Sequence, residues 1–161
     1  MEQLTLFTVP YRYIIDASSL ISQNPNQPHT KLVYHSLWEK ISSAMKERLI
    51  VTCSEIADEI KDDNIKEWLA RSECVILEID DEIQRNVCRI VTEHPELIEF
   101  TGNGAGTSSG DAFLLATAMK YGLIVVTEET PKKKKIPIVG QYFGVESVNI
   151  TGLFAKEQWV I

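Results

Sequence analysis

Residues 110–129 read GDAFLLATAMKYGLIVVTEE and decide which fold this chain adopts. Strong helix formers fill the first half, and Gly122 follows where a glycine commonly ends a helix. The run from Leu123 to Val126 is entirely apolar, which is typical of a strand buried on both faces of a sheet. We therefore predict a helix and then a strand, with Asp111 opening the helix and Glu128-Glu129 closing the strand.

Length and composition indicate one globular domain. The chain has 161 residues, of which 44% are hydrophobic and 24% charged, as is usual for a globular protein. We predict a single domain over 1–161, with a core at about 12–150, an N-terminal extension at 1–11 and a C-terminal helix at 151–161. We see neither a membrane span nor a signal peptide, so a cytoplasmic location without a membrane partner is expected.

The charge and the cysteines exclude two function classes. A formal net charge of −7 is the wrong sign for a general nucleic-acid binder, although it suits an enzyme that binds cations first. The three cysteines, Cys53, Cys74 and Cys88, show no C-x-x-C spacing, so a zinc site is not expected. We interpret them as buried, reduced thiols.

Strands and helices alternate along the chain. We predict strands at 12–15, 49–51, 75–79, 123–126 and 145–150, and helices at 30–48, 52–60, 65–72, 80–93, 110–121, 136–143 and 151–159. Thr30 is predicted to cap the first long helix, and Thr52 with Glu55 matches a capping box. This alternation predicts a three-layer α/β fold around a mainly parallel sheet of about four to five strands.

Four acids fall at comparable places in this pattern. Asp16 ends the first strand, Glu59 lies about two turns into the helix after the second strand, and Asp111 and Glu129 flank the helix and strand of residues 110–129. Ligands bind at the carboxyl edge of a parallel sheet, where these acids converge. Carboxylates held together repel one another, and hard oxygen ligands suit Mg²⁺ or Mn²⁺. Such ions assist phosphodiester hydrolysis, so the pattern indicates a nuclease.

The same residues resemble a known family. Residues 13–21 (YIIDASSLI), 54–60 (SEIADEI), 110–118 (GDAFLLATA) and 125–129 (VVTEE) resemble, in order, the four acidic motifs of PIN domains. The segment Lys134-Lys135-Ile136-Pro137, with the later Phe-Gly-Val, is similar to an uncharacterised prokaryotic PIN-like subfamily.

The resemblance implies a metal-dependent endoribonuclease, often the toxin of a toxin–antitoxin pair. On the matching positions it implies Mg²⁺ or Mn²⁺ ligands and hydroxyls that orient them. It also implies an RNA substrate, an antitoxin protein and dimerisation. The implied ligands are Asp16, Glu59, Asp111 and Glu129, with Glu128 as the alternative fourth acid, and the implied hydroxyls are Ser18 and Thr127.

Other interpretations stay open. Lys132, Lys133, Lys134 and Lys135 form a basic loop that could contact RNA phosphates or an acidic antitoxin. Ala17 stands where the family has a hydroxyl residue, and Glu129 where it has Asp, so a catalytically weak module that binds protein or RNA is the alternative function. A phosphate-transfer domain with Asp16 as nucleophile ranks last, because Ser18 replaces the second Asp that one such class needs.

Overall fold

The computed structural model describes residues 11–95, 99–100, 107–108, 110–129 and 136–161. The basic loop Lys132–Lys135, most of the predicted N-terminal extension and most of the glycine-rich stretch before Asp111 lie outside these ranges.

The elements follow the predicted alternation, except that two short strands at 99–100 and 107–108 pair antiparallel where the sequence predicts a loop. The strands are β1 (Tyr13–Ile15), β2 (Ile50–Cys53), β3 (Ile76–Leu77), β4 (Glu99–Phe100), β5 (Thr107–Ser108), β6 (Ile124–Val126) and β7 (Ser147–Val148). The helices are α1 (Ala17–Ile21), α2 (His35–Lys46), α3 (Ser54–Glu59), α4 (Asp63–Arg71), α5 (Asp81–Glu93), α6 (Gly110–Tyr121), α7 (Ile136–Tyr142) and α8 (Ile150–Glu157). None of the helices within the described ranges has the length and apolar content that a bilayer crossing requires.

One parallel sheet organises the molecule. Its five strands stand in the order β3-β2-β1-β6-β7, and each neighbouring pair is parallel. In the centre, Ile15 of β1 is in register with Val126 of β6. The predicted mainly parallel sheet is therefore confirmed, and all five strands end at the same edge.

Both faces of the sheet are covered, which makes the fold three-layered. Alternate side chains of β1 enter different cores: Ile14 packs toward α5 and α6, whereas Tyr13 and Ile15 pack toward α2, α4 and α8. The second core contains Trp38 of α2, which is 1% exposed. Because central strands bury side chains on both faces, they consist of unbroken apolar runs rather than alternating ones.

Two predicted caps are wrong: Thr30 starts an isolated turn instead of a helix, and the hydroxyl of Thr52 bonds to a neighbouring strand instead of to a helix amide. The carbonyl of Thr30 accepts from the amides of Val33 and Tyr34 in an isolated turn, and α2 begins only at His35. The hydroxyl of Thr52 donates across the sheet to the Ile15 carbonyl at 3.0 Å.

The predicted end of α6 is correct and generates the first prediction. Gly122 has φ +66°, and a Cβ added there would meet nothing within 4 Å. Alanine at this position therefore costs backbone strain alone. We expect Gly122→Ala to lower the free energy of unfolding by about 1 kcal/mol in urea denaturation, and Gly122→Asn to lower it less, because Asn tolerates the left-handed region. Equal stability of the alanine variant and the wild type would contradict this.

Candidate active site at the carboxyl edge of the sheet

The parallel topology brings the predicted site segments to one edge. Asp16 directly follows β1, and residues 127–129 directly follow the neighbouring strand β6. Helix α6 leads back to the start of β6, so its first turn, which contains Asp111, lies toward the same edge. Helix α3, which ends at Glu59, follows β2.

Asp16 is the most buried acid at this edge, with 3% of its surface exposed. Its Oδ1 accepts from the amide of Ala17 at 2.8 Å, which makes Asp16 the N-cap of α1. Its Oδ2 accepts from the hydroxyl of Ser18 at 2.8 Å and from that of Thr127 at 2.9 Å. Burial raises the pKa of Asp16, and these hydrogen bonds oppose that rise.

Ser18 and Thr127 join the ends of the two central strands. Their hydroxyl oxygens lie 3.2 Å apart. The Ser18 hydroxyl also accepts from the amide of Glu128 at 3.1 Å, and the Thr127 hydroxyl accepts from the amide of Glu129 at 3.2 Å. The structure thus places both sequence-predicted hydroxyls on the Asp16 carboxylate, while Ala17 contributes only its backbone amide.

The carboxylate of Glu59 occupies the space beside Gly110, which has no side chain. A Cβ added to Gly110 would lie 1.9 Å from Oε1 of Glu59, so a side chain there would displace the carboxylate. Partial desolvation of this carboxylate and the nearby charge of Asp16 raise the pKa of Glu59, whereas a hydrogen bond from the Gly110 backbone lowers it. Gly110, which sequence reasoning did not single out as a site residue, is thus what admits Glu59 beside the start of α6.

The two consecutive acids after β6 differ in their surroundings. Oε2 of Glu128 accepts from the amide of Ile150, the first residue of α8, at 2.9 Å. Its Oε1 lies 3.7 Å from Nδ1 of His29. Glu129 is half-buried, as is Asp111. The sequence gives no signal for the contact with His29, which depends on the path of a long loop.

The donor chemistry suits a hard divalent cation at the Asp16–Glu59 pair. Both residues supply carboxylate oxygens, and their repulsion is a cost that a cation would remove. Within the described ranges, no three His, Cys, Asp or Glu side chains come close enough together to hold a metal ion. The ligand set of Asp16, Glu59, Asp111 and Glu129 therefore stays a prediction.

Comparison with solved structures identifies the fold. A chain of the DNA-bound VapBC from Salmonella typhimurium matches with a TM-score of 0.56 at 17% identity, covering 87% of this chain and 98% of that chain. A chain of VapBC2 from Rickettsia felis, bound to a DNA fragment from their promoter, matches with a TM-score of 0.53 at 15% identity, covering 85% and 97%. At these identities the likeness shows the fold alone: a PIN-like α/β fold similar to that of these two VapBC chains.

The family follows from the sequence. A family model described as Domain of unknown function (DUF4411) matches residues 13–161, and the chain belongs to this family. Among the curated proteins, none matches the chain.

The raised pKa of Asp16 generates a prediction about stability. The folded protein binds this proton more tightly than the unfolded chain does. The stabilising contribution is therefore fully present below the unfolded pKa and is lost as the pH rises through the folded pKa. We expect Asp16→Asn to be more stable than the wild type at pH 7, with a difference that vanishes toward about pH 4. Urea denaturation in EDTA measures it.

The matched control is Asp58→Asn, which removes an exposed carboxylate one residue before Glu59. It should change the stability little at either pH. A loss of stability at pH 7 in Asp16→Asn would contradict the sign of the effect.

Proposed function

We propose that this protein is a metal-dependent endoribonuclease that hydrolyses RNA phosphodiester bonds with Mg²⁺ or Mn²⁺. The observation that carries the proposal is the Asp16 carboxylate, buried at the end of a central strand, held by two hydroxyls and close enough to Glu59 to raise its pKa. Burying a charged group without a functional use costs stability that an apolar residue would not lose. The PIN-like fold supports the same conclusion.

Each residue has a distinct part in this proposal. Asp16 and Glu59 hold the ion, and Asp111 and Glu129 complete the ligand set. When bound, the ion supplies a water of lowered pKa and offsets the negative charge of the phosphodiester. Ser18 and Thr127 orient the Asp16 carboxylate and favour its ionised form. Glu129 is the proposed fourth acid, with Glu128, whose carboxylate accepts the first amide of α8, as the alternative.

A biological setting follows from the same resemblance. We propose that the protein is the toxin of a toxin–antitoxin pair in the cytoplasm, with an antitoxin protein and a second copy of the chain as partners. Support comes from the structural neighbours, which are VapBC complexes. Lys132, Lys133, Lys134 and Lys135 are proposed contacts for RNA or for an acidic antitoxin.

Cleavage of single-stranded RNA in Mn²⁺ tests the activity. We expect Asp16→Asn and Glu59→Gln each to reduce the rate by at least about a hundredfold, because each removes a negative ligand while preserving the side-chain volume. Asp58→Asn, on the same helix as Glu59, should cleave at the wild-type rate. Glu129→Gln should reduce the rate more than Glu128→Gln does.

Two results would contradict the mechanism. Full activity of Asp16→Asn would show that the buried carboxylate is not needed. Equal activity in EDTA and in Mn²⁺ would show that the reaction does not need the ion.

The alternative is a catalytically weak module that binds protein or RNA. Two observations favour it: Ala17 supplies no side-chain hydrogen bond, and the described residues bring no three potential ligands together. Such a module would keep the PIN-like fold without a working metal centre.

Thermal melts distinguish the two functions. A ligand that binds only the folded protein raises its melting temperature. For the nuclease we expect Mn²⁺ at about a hundred times its dissociation constant to stabilise the wild type by about 2.7 kcal/mol, and Asp16→Asn by much less. No shift in the wild type, together with no RNA cleavage, would favour the binding module.

A further inference from the structure

A second feature lies between helices α2 and α4, on the outer surface of one helical layer. A cleft of about 570 Å³ is lined by Trp38, Lys46 and Trp68, among others. A neighbouring cavity of about 300 Å³ is lined by Gln23 and Thr30, among others. Lys31 and Arg71 line both cavities and therefore lie between them, and we call the two neighbouring cavities together the α2–α4 groove.

The loop after α1 holds two of the groove residues side by side. The amide of Lys31 donates to the carbonyl of Gln23 at 2.9 Å, and the amide of His29 donates to that of Ser22 at 3.1 Å. The side chain of Asn24 then ties this loop to Asp62, the N-cap of α4, at 3.1 Å. Gln23 and Lys31 are therefore positioned by the fold.

The groove concentrates positive charge on a chain whose net charge is −7. Lys31, Lys46 and Arg71 line it, and no carboxylate of the described residues lies within 4.0 Å of their charged nitrogens. Two acids also line it: Glu39, whose Oε1 lies 3.2 Å from Nδ1 of His35, in the larger cavity, and Glu67 in the smaller one. The charges of Lys31, Lys46 and Arg71 are therefore balanced by solvent and not by a direct carboxylate partner.

Lys31 is the most constrained of these cations. Its Nζ lies 4.9 Å from the centre of the Trp68 ring, and Trp68 packs edge-on against Trp38 with ring centres 5.6 Å apart. Burial, together with the charge of Arg71, lowers the pKa of Lys31. A bound anion would raise the pKa of Lys31 again, because its negative charge offsets both the burial and the repulsion from Arg71.

Gln23 supplies an independent sign of a ligand. The residue is 4% exposed, and its Nε2 is buried with no hydrogen-bond partner among the described residues. A buried donor without a partner costs about 1–3 kcal/mol. Gln23 lines the same small cavity as Lys31 and Arg71, so an acceptor that reached this amide from the cavity would also lie beside two cations.

We propose that the α2–α4 groove binds a phosphate group, carried either by a free ribonucleotide or by an RNA strand. Several oxygens on one phosphate match donors of three kinds, an ammonium, a guanidinium and an amide. The larger cleft has room for a nucleoside beside that phosphate. This site goes beyond the proposed nuclease function and does not depend on it.

Binding is measured on the full chain in EDTA, so that no divalent ion at the sheet edge contributes. Adenosine 5′-monophosphate is titrated by tryptophan fluorescence, since Lys31 lies over Trp68, and a short labelled single-stranded RNA by anisotropy. We expect Lys31→Gln and Arg71→Gln each to weaken binding by about tenfold or more, and Lys31→Arg to retain it. Lys61→Gln, an exposed lysine that does not line the groove, is the charge-matched control and should change binding less than about twofold.

The binding measurements decide the proposal. If the Lys31 and Arg71 variants bind both probes more weakly, the result supports a site for the phosphate group itself. If they bind only the RNA more weakly, it supports a site for an RNA strand. If they bind only the nucleotide more weakly, it supports a site for the free ligand. Equal weakening in Lys61→Gln overturns it, because the effect would then be general charge. A poly-glutamate peptide that competes as well as RNA also overturns it, in favour of a protein partner. Loss of RNA cleavage in Mn²⁺ with intact binding in EDTA concerns the proposed function alone.

Discussion

The buried carboxylate of Asp16 is the constraint on which the rest of the structure depends. An acid that is 3% exposed persists at the end of β1 because hydrogen bonds from Ala17, Ser18 and Thr127 surround it. Two of these donors follow β1 itself, but Thr127 follows β6. The carboxylate is therefore satisfied only when β1 and β6 pair in the observed register, Ile15 beside Val126. A shift by one residue would turn Thr127 away and leave a buried charge one donor short, so the same contact selects the register of the sheet centre and builds the candidate site.

Glu59 shows that this edge is not arranged for greatest stability. Its carboxylate lies where any side chain on Gly110 would have to be, and the charge of Asp16 raises its pKa. A sequence selected for stability alone would place a helix former at the start of α6 and a neutral residue at 59. The chain instead has a glycine in the helix and a second acid near the first. The proposed binding of a cation would account for this combination, because a cation would remove the repulsion between the two carboxylates.

The sequence predicted the layers well, because they follow from patterns within short segments. The apolar runs at 13–15 and 124–126 and the helix before Gly122 each determine their own structure. The wrong predictions concern residues with two local options, such as Thr52, whose hydroxyl the neighbouring strand captures. Two further contacts could not be predicted, because each joins segments that are far apart in the sequence. They are the hydrogen bond between Glu128 and Ile150 and the contact of Glu59 with Gly110. The roles of the four acids rest on their order along the chain and stay a prediction.

The distribution of charge links the two sites. A chain with a net charge of −7 repels a polyanion at long range, and the acids at the sheet edge add to that repulsion. A phosphate chain can still approach where cations are grouped without paired carboxylates, because the interaction between nearby charges exceeds the screened long-range term at physiological ionic strength. Lys31, Lys46 and Arg71 form such a group on the helical layer that contains α2 and α4. In the two proposals the acidic edge and the basic groove have complementary requirements: the edge would need a cation before it could bind a phosphate, whereas the groove would bind one directly.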